Sequence, residues 1–362
     1  MDSFAFMIHP LDETDVVRKF SVAKYMPDFI IRQMLKYAPP FKASDITGVA
    51  SKHNKISGCF VTCPLTARQM VTLPEPFVLD KILKAGKVAE SIGAKVLGLG
   101  AFTSVIGDAG ITVAKHLKIP VTTGNSYTVA TAIEGTKMAA ALMGHSLDTA
   151  DVVIIGATGS IGSVCANILA REVSSLTLVG KDEVKLHKVA NQIMYETGLV
   201  AKISGDLKQS VSEADVIICV TNSVEVLISP EDLKSGAVVC DVSRPRNVSR
   251  LVAELRNDVL VIEGGLVEVP GDVDFHLNFG FPPGMAYACM AETMILALEQ
   301  KYQSYTLGRE LNVNQVLEIN KLAKKHGFKV AGFRSFEKAI TEAEITTIKN
   351  NAINKALVTE TA

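Results

Sequence analysis

The chain has 362 residues, enough for two domains, and 48% of them are hydrophobic, enough for sizeable buried cores. Its formal net charge of −1 argues against a nucleic-acid binder, which carries a strong basic excess. The six cysteines (Cys59, Cys63, Cys165, Cys219, Cys240 and Cys289) form neither a disulfide framework nor a zinc-spaced cluster. No metal site is therefore expected, and a reducing compartment, the cytoplasm, is.

The N-terminus, MDSFAFMIHPLDETD, has early acids and no basic stretch ahead of an apolar core, so no signal peptide is expected. No apolar run reaches the roughly 18 residues of a membrane span. Residues 43–66 read as strand and loop, and residues 76–94 as a helix. Residues 95–105 read as a strand entering the polar loop that contains Phe102, Thr103 and Ser104. Residues 110–144 add a helix, a strand, a second polar loop (GNSYT) and another helix. Strands and helices in alternation make residues 1–147 an α/β substrate domain.

Residues 150–173 begin a clearer unit: a β-branched run, a glycine-rich turn and a helix. Five more strands are expected within residues 175–181, 196–204, 214–223, 236–243 and 257–265, with helices at 183–197 and 229–236. Strands alternating with helices imply a parallel sheet, and six strands imply a Rossmann-type dinucleotide-binding domain over residues 148–270. Residues 271–362 are expected to be mainly helical, packing back on the N-terminal domain, with a frayed, uncapped tail beyond Ala343.

Gly156, Gly159 and Gly162 form the loop G-A-T-G-S-I-G with Thr158, Ser160 and Ile161. The first glycine permits the tight turn, the second the approach of a pyrophosphate, and the third close helix–strand packing. The loop follows a strand and opens a helix, the context in which the motif binds phosphates. At the end of the second strand, where an acid selects NAD, the chain has Gly180 and Lys181. A lysine in place of a carboxylate favours the 2′-phosphate of NADPH. Thr221 after the fourth strand and Gly264–Gly265 after the sixth are further candidates for cofactor contact, the glycines reading equally well as a plain turn.

This architecture first suggests a shikimate-type dehydrogenase, and GCFVTCPLTARQ resembles that family's N-V-T-x-P-x-K stretch. Thr66, however, occupies the place of the catalytic lysine, and threonine is a poor proton acceptor for alcohol oxidation. A helix read from Met285 puts Tyr287, Met290, Ala291, Met294, Ile295 and Leu298 on one stripe. Cys289 falls nearly opposite, beside Met285, Glu292, Thr293 and Leu296, on what would be a cleft wall. It reads either as a packed core thiol or as a nucleophile activated by the helix start. Ser104, Asn125 and Ser126 are candidate donors to a developing oxyanion or simple loop and cap residues, and His276 is a possible proton donor. Lys324, Lys325 and Lys329 could form a basic surface for an acidic partner.

The chain resembles the cyanobacterial long-chain acyl-[acyl-carrier-protein] reductase family and its non-photosynthetic relatives. The likeness runs from residue 38 to residue 328 through APP, ITG, LGAFTSVI, TTGNSYTVATA, GATGSIGS, GGLVE, ACMAETMILALE and KHGFK. It implies NADPH-dependent reduction of a long-chain acyl thioester, carried by acyl-carrier protein or coenzyme A, to an aldehyde. The family nucleophile matches Cys289, which would carry the acyl group. Residues 4–20 and 272–284 depart from the family's usual form.

Overall fold

A computed structural model describes residues 3–360 except 222, 244, 279–281 and 337. The chain forms two compact units, Met1–Tyr127 with Val267–Lys329 and Thr128–Leu266 with Val330–Ala362. These differ from the expected divisions at 147/148 and 270/271. The chain crosses from the first unit to the second within the helix Asn125–Met143, and the C-terminal segment is shared between the two units.

The first unit is built on a five-stranded sheet of β1 (Phe4–Ile8), β2 (Phe41–Ala50), β3 (Lys55–Thr62), β4 (Leu97–Leu99) and β5 (Val121–Thr122), in the order β2-β3-β1-β4-β5. β2 is antiparallel and the other four run parallel. β1 was not legible as a strand because it lacks alternation. It is apolar on both faces because both are covered. Ala5 and Met7 join a core with Val78, Ile82, Ala85 and Ala89 of the helix Glu75–Ile92. On the other face, the helix Ala288–Leu298 packs on β1, β3 and β4. That helix begins at Ala288 rather than Met285, since Met285–Tyr287 is a strand. The expected cleft wall is also corrected: Glu292, Thr293 and Leu296 are as buried as the opposite stripe. The helix lies between the sheet and the helix Val313–His326, so both faces are core.

The second unit carries β6 (Asp151–Ile155), β7 (Ser175–Val179), β8 (Lys202–Ser204), β9 (Val216–Cys219), β10 (Val238–Asp241) and β11 (Leu260–Glu263). All six run parallel in the order β11-β10-β9-β6-β7-β8. This is the doubly wound Rossmann order, with the switch point between β6 and β9. The register pairs Ile155 with both Val179 and Cys219, so the loops after β6, β7 and β9 leave the same carboxyl edge.

Three local expectations are corrected. Residues 229–236 hold only the 3₁₀ turn Pro230–Asp232, and the helices Leu207–Glu213 and Arg250–Leu255 were unread. Both are short and start on side-chain caps, Asp206 and Ser249, which their weak periodicity hides. The tail is the helix Glu342–Glu360 rather than a frayed end. Thr341 and Glu344 cap it reciprocally, Lys355 pairs with Asp258 at 3.0 Å, and Asn351 donates to Asn257 O.

Candidate active site

The cofactor candidates occupy the carboxyl edge of the Rossmann sheet. Gly156 has φ +85°, and a β-carbon there would lie 2.5 Å from Val220 O. A β-carbon on Gly162 would lie 2.3 Å from Gly156 O, so these two glycines are required by chain-on-chain contact. Gly159 differs: a β-carbon there would meet only Gly156 O at 3.3 Å and Val220 O at 4.0 Å. Its hydrogen thus faces a cradle rather than the core. Gly159 caps the helix Ser160–Leu169 with no side-chain hydrogen bond, and Thr158, Ser160 and Ile161 are half-buried around it. A pyrophosphate fits such a helix start, where N–H groups and the positive end of the dipole converge.

Thr221 sits against Gly156. Its hydroxyl donates to Asn247 Oδ1 at 2.5 Å and its amide to Ser243 Oγ. Lys181 is exposed, whereas Asp182 is committed to capping the helix Glu183–Thr197 through Lys185 N. Gly264 is accounted for by packing, since a β-carbon would strike Val242 and Cys240 Sγ at 2.6 and 2.7 Å. Gly265, at φ +76°, follows it in the turn.

Gly159→Val should leave the unit folded, since φ of −78° suits any residue, while filling the cradle. Fluorescence titration should show NADPH binding weakened about tenfold or more, with an unchanged circular dichroism spectrum. Normal binding by the folded variant would refute the loop assignment.

The cysteine site belongs to the first unit. Five of the six cysteines are buried, and burial pushes Cys63 up to about 12. Cys289 alone is partly exposed, as the second residue of the helix Ala288–Leu298. The positive end of that helix favours a thiolate. Gly124, at φ +76°, presses directly on it: a β-carbon at 124 would lie 2.3 Å from Cys289 Cα and 2.4 Å from its Cβ.

What holds the 122–127 segment there is Glu292, one helical turn beyond Cys289. Its fully buried carboxylate accepts from Thr122 Oγ1 at 2.5 Å, Thr306 Oγ1 at 2.8 Å and Tyr127 N at 2.9 Å. Burial raises its pKa, while the donors around it pull the other way. The sequence reading placed Glu292 beside Cys289 but gave it no role. The available signal was an acid in an otherwise apolar helix.

The expected donors are distributed unevenly. Asn125 and Ser126 open the helix that follows Gly124, directly beside the cysteine contact. Ser126 is fully buried, with Oγ 2.9 Å from Thr306 Oγ1. Ser104 donates to Ala101 O at 2.6 Å inside the 3₁₀ turn Ala101–Ser104. That turn is held by His9, whose Nε2 accepts from Phe102 N at 3.2 Å and whose Nδ1 lies 2.9 Å from Pro10 O. Burial lowers the His9 imidazole to about 4, so it is neutral at pH 7. His276 is exposed and paired with Asp274 of its own loop at 3.3 Å, and residues 279–281 beyond it lie outside the described residues.

Two further sequence features are given local jobs. Thr66 caps the helix Ala67–Thr72 in a reciprocal box with Gln69, a structural role in place of a catalytic lysine. Lys325 is not a freely offered charge, since Glu299 takes its ammonium at 2.7 Å and also meets His326 at 2.8 Å.

Residues 137–263 match the family model for shikimate / quinate 5-dehydrogenase. A long-chain acyl-[acyl-carrier-protein] reductase of Synechococcus elongatus is 28% identical over 334 residues, 87% of this chain and 94% of that protein. The aminotransferase PigE of a Serratia species is 29% identical over 301 residues; the match takes in 80% of this chain but only 35% of PigE. Quinate dehydrogenase from Corynebacterium glutamicum, solved with NAD, aligns over 72% of this chain and 87% of its own, at 13% identity and a TM-score of 0.35. The family-model match and the reductase relative support an NAD(P)-dependent oxidoreductase of the Rossmann type. No helix among the described residues is long and apolar enough to cross a membrane.

Proposed function

We propose that the protein reduces a long-chain fatty acyl thioester, of acyl-carrier protein or coenzyme A, to the aldehyde with NADPH, through an acyl group carried on Cys289. The observation that supports this reading best is the contrast among the cysteines: five are buried, and the sixth sits partly exposed in the first turn of a helix against Gly124. In this reading the Cys289 thiolate attacks the thioester carbonyl. The new S–C bond forms, the old one breaks, and the carrier leaves as its thiol with a proton. The product is itself a thioester and so remains activated. NADPH, when bound, supplies hydride. Collapse of the hemithioacetal on Cys289 then releases aldehyde and returns the thiol. Of the candidate donors, Asn125 and Ser126 open the helix that follows Gly124, beside Cys289, and would meet the oxygen charge there. The cofactor would be held by Gly156, Thr158, Gly159, Ser160, Ile161 and Gly162, with Thr221 and Gly265 along the same edge.

The decisive experiment is incubation with acyl thioester without NADPH, followed by peptide mass spectrometry. One acyl adduct on the Cys289 peptide is expected. A dehydrogenase acting without a covalent intermediate, the reading that the 137–263 match favours, would turn over with no adduct.

Cofactor choice has its own test. The exposed Lys181 is the available partner for a 2′-phosphate because Asp182 is occupied as a cap. A charge-assisted contact is worth about 1.5–3 kcal/mol, so Lys181→Ala should raise the KM for NADPH about tenfold or more and leave that for NADH nearly unchanged. Wild-type turnover that is equal or better with NADH would contradict the assignment.

A further inference from the structure

Residues 20–42, in the first unit, turn large apolar side chains outward. The helix Asp28–Tyr37 buries Ile31 but exposes Phe29 (60%), Ile30, Met34 (55%) and Tyr37 (73%). At about 100° per residue these four lie within one half of the wheel, interrupted only by Gln33. The preceding 3₁₀ turn, Ser21–Tyr25, also exposes Val22 and Tyr25, the latter at 86%. An ordinary soluble surface rarely presents so many large apolar groups on two consecutive elements.

Cations prevail in that segment: Lys24, Arg32, Lys36 and Lys42 outnumber the carboxylate Asp28, leaving residues 20–42 at net +3 in a chain of net −1, with Arg32 paired to Glu13 and Lys42 to Asp45. Lys36 lies over the Tyr37 and Phe77 rings at 5.7 and 5.9 Å. Arg32, paired with Glu13 at 2.9 Å, lines a groove with Arg68, Gln69 and Thr72 beside the helix. Aromatic and aliphatic groups that enter the acyl boundary, flanked by lysine and arginine at headgroup height, are the chemistry of an interfacial element.

We infer that residues 20–42 form a peripheral docking surface for an anionic lipid bilayer. An acidic carrier protein would answer the charge but leave the apolar face without a partner. The inference is independent of the thioester reading.

The chain has no tryptophan, which allows a clean test. Full-length protein is mixed with vesicles of phosphatidylcholine alone or with about 30 mol% phosphatidylglycerol and separated by flotation. Flotation with the anionic vesicles, weakened by salt and nearly absent with phosphatidylcholine, is expected. Tyr25→Trp should show a blue-shifted emission quenched by brominated lipid. Tyr195→Trp, at a 93% exposed position of the second unit, should show neither effect. Phe29→Ser with Met34→Ser should lower vesicle binding about tenfold or more while leaving the circular dichroism spectrum unchanged, because both side chains are already in water. Failure of the wild type to float, or equal binding by the double variant, would overturn the inference. So would a dimer or a carrier-protein complex that the double variant abolishes in the absence of any vesicle binding.

Discussion

Cys289→Ser should cut acyl-thioester reduction about a thousandfold or more while NADPH binding persists. The substitution keeps the size of the side chain and removes only the easily ionised sulfur. A serine hydroxyl at the same helix start is far harder to ionise, and an ester formed on it would be less activated toward hydride than a thioester. The fold should tolerate the change because Cys289 is only half-buried and its neighbours in the helix carry the packing. The other cysteines are poor substitutes: burial pushes Cys63 up to about 12 and also raises Cys165 and Cys219. The measurement is initial rate together with NADPH titration on the same preparation. Retained activity in the serine variant would make Cys289 a packing residue, and an acyl adduct on Cys59 or Cys63 would move the nucleophile elsewhere in the first unit.

Glu292→Ala should be costly in stability as well as in activity. Removal of the carboxylate strips the acceptor from Thr122 Oγ1, Thr306 Oγ1 and Tyr127 N in a site closed to water. Each donor left bare costs about 1–3 kcal/mol, so the total reaches several kcal/mol out of the roughly 5–15 kcal/mol typical of a folded domain. A fall in melting temperature on the order of 10 °C is expected for a unit of this size. The segment around Gly124 would lose its anchor, so acyl-adduct formation on Cys289 should slow in any fraction that still folds. Glu292→Gln is the informative companion. Its amide can offer oxygen to Tyr127 N and its NH₂ to the threonine hydroxyl oxygens, so most of the stability should return. An unchanged melting temperature for the alanine variant would show that the carboxylate does not hold the segment.

The sequence alone determined the second unit's chemistry. Its strands are continuous β-branched runs separated by helices, and Gly156, Gly159 and Gly162 follow a strand at the spacing that a phosphate turn requires. Those signals are local, so periodicity and spacing carry them without knowledge of the fold. That a cysteine sits near a helix start was legible for the same reason, although the helix begins three residues later than its pattern suggests and the partial exposure of Cys289 was not readable.

Only the tertiary structure decided what surrounds that cysteine. The wheel separated a core stripe from a cleft face, but a helix covered by a sheet on one side and another helix on the other has no free face. β1 escaped notice because burial on both faces erases alternation. Glu292 escaped because an acid in an apolar helix declares its purpose only through its partners. Thr122 and Tyr127 are about 170 residues away in the chain, Thr306 comes from the opposite direction, and no local pattern links them. Likewise, that Phe29, Ile30, Met34 and Tyr37 stay in solvent is decided only by folding. Propensity and periodicity act between near neighbours, whereas burial is settled by which distant segments arrive to cover a surface.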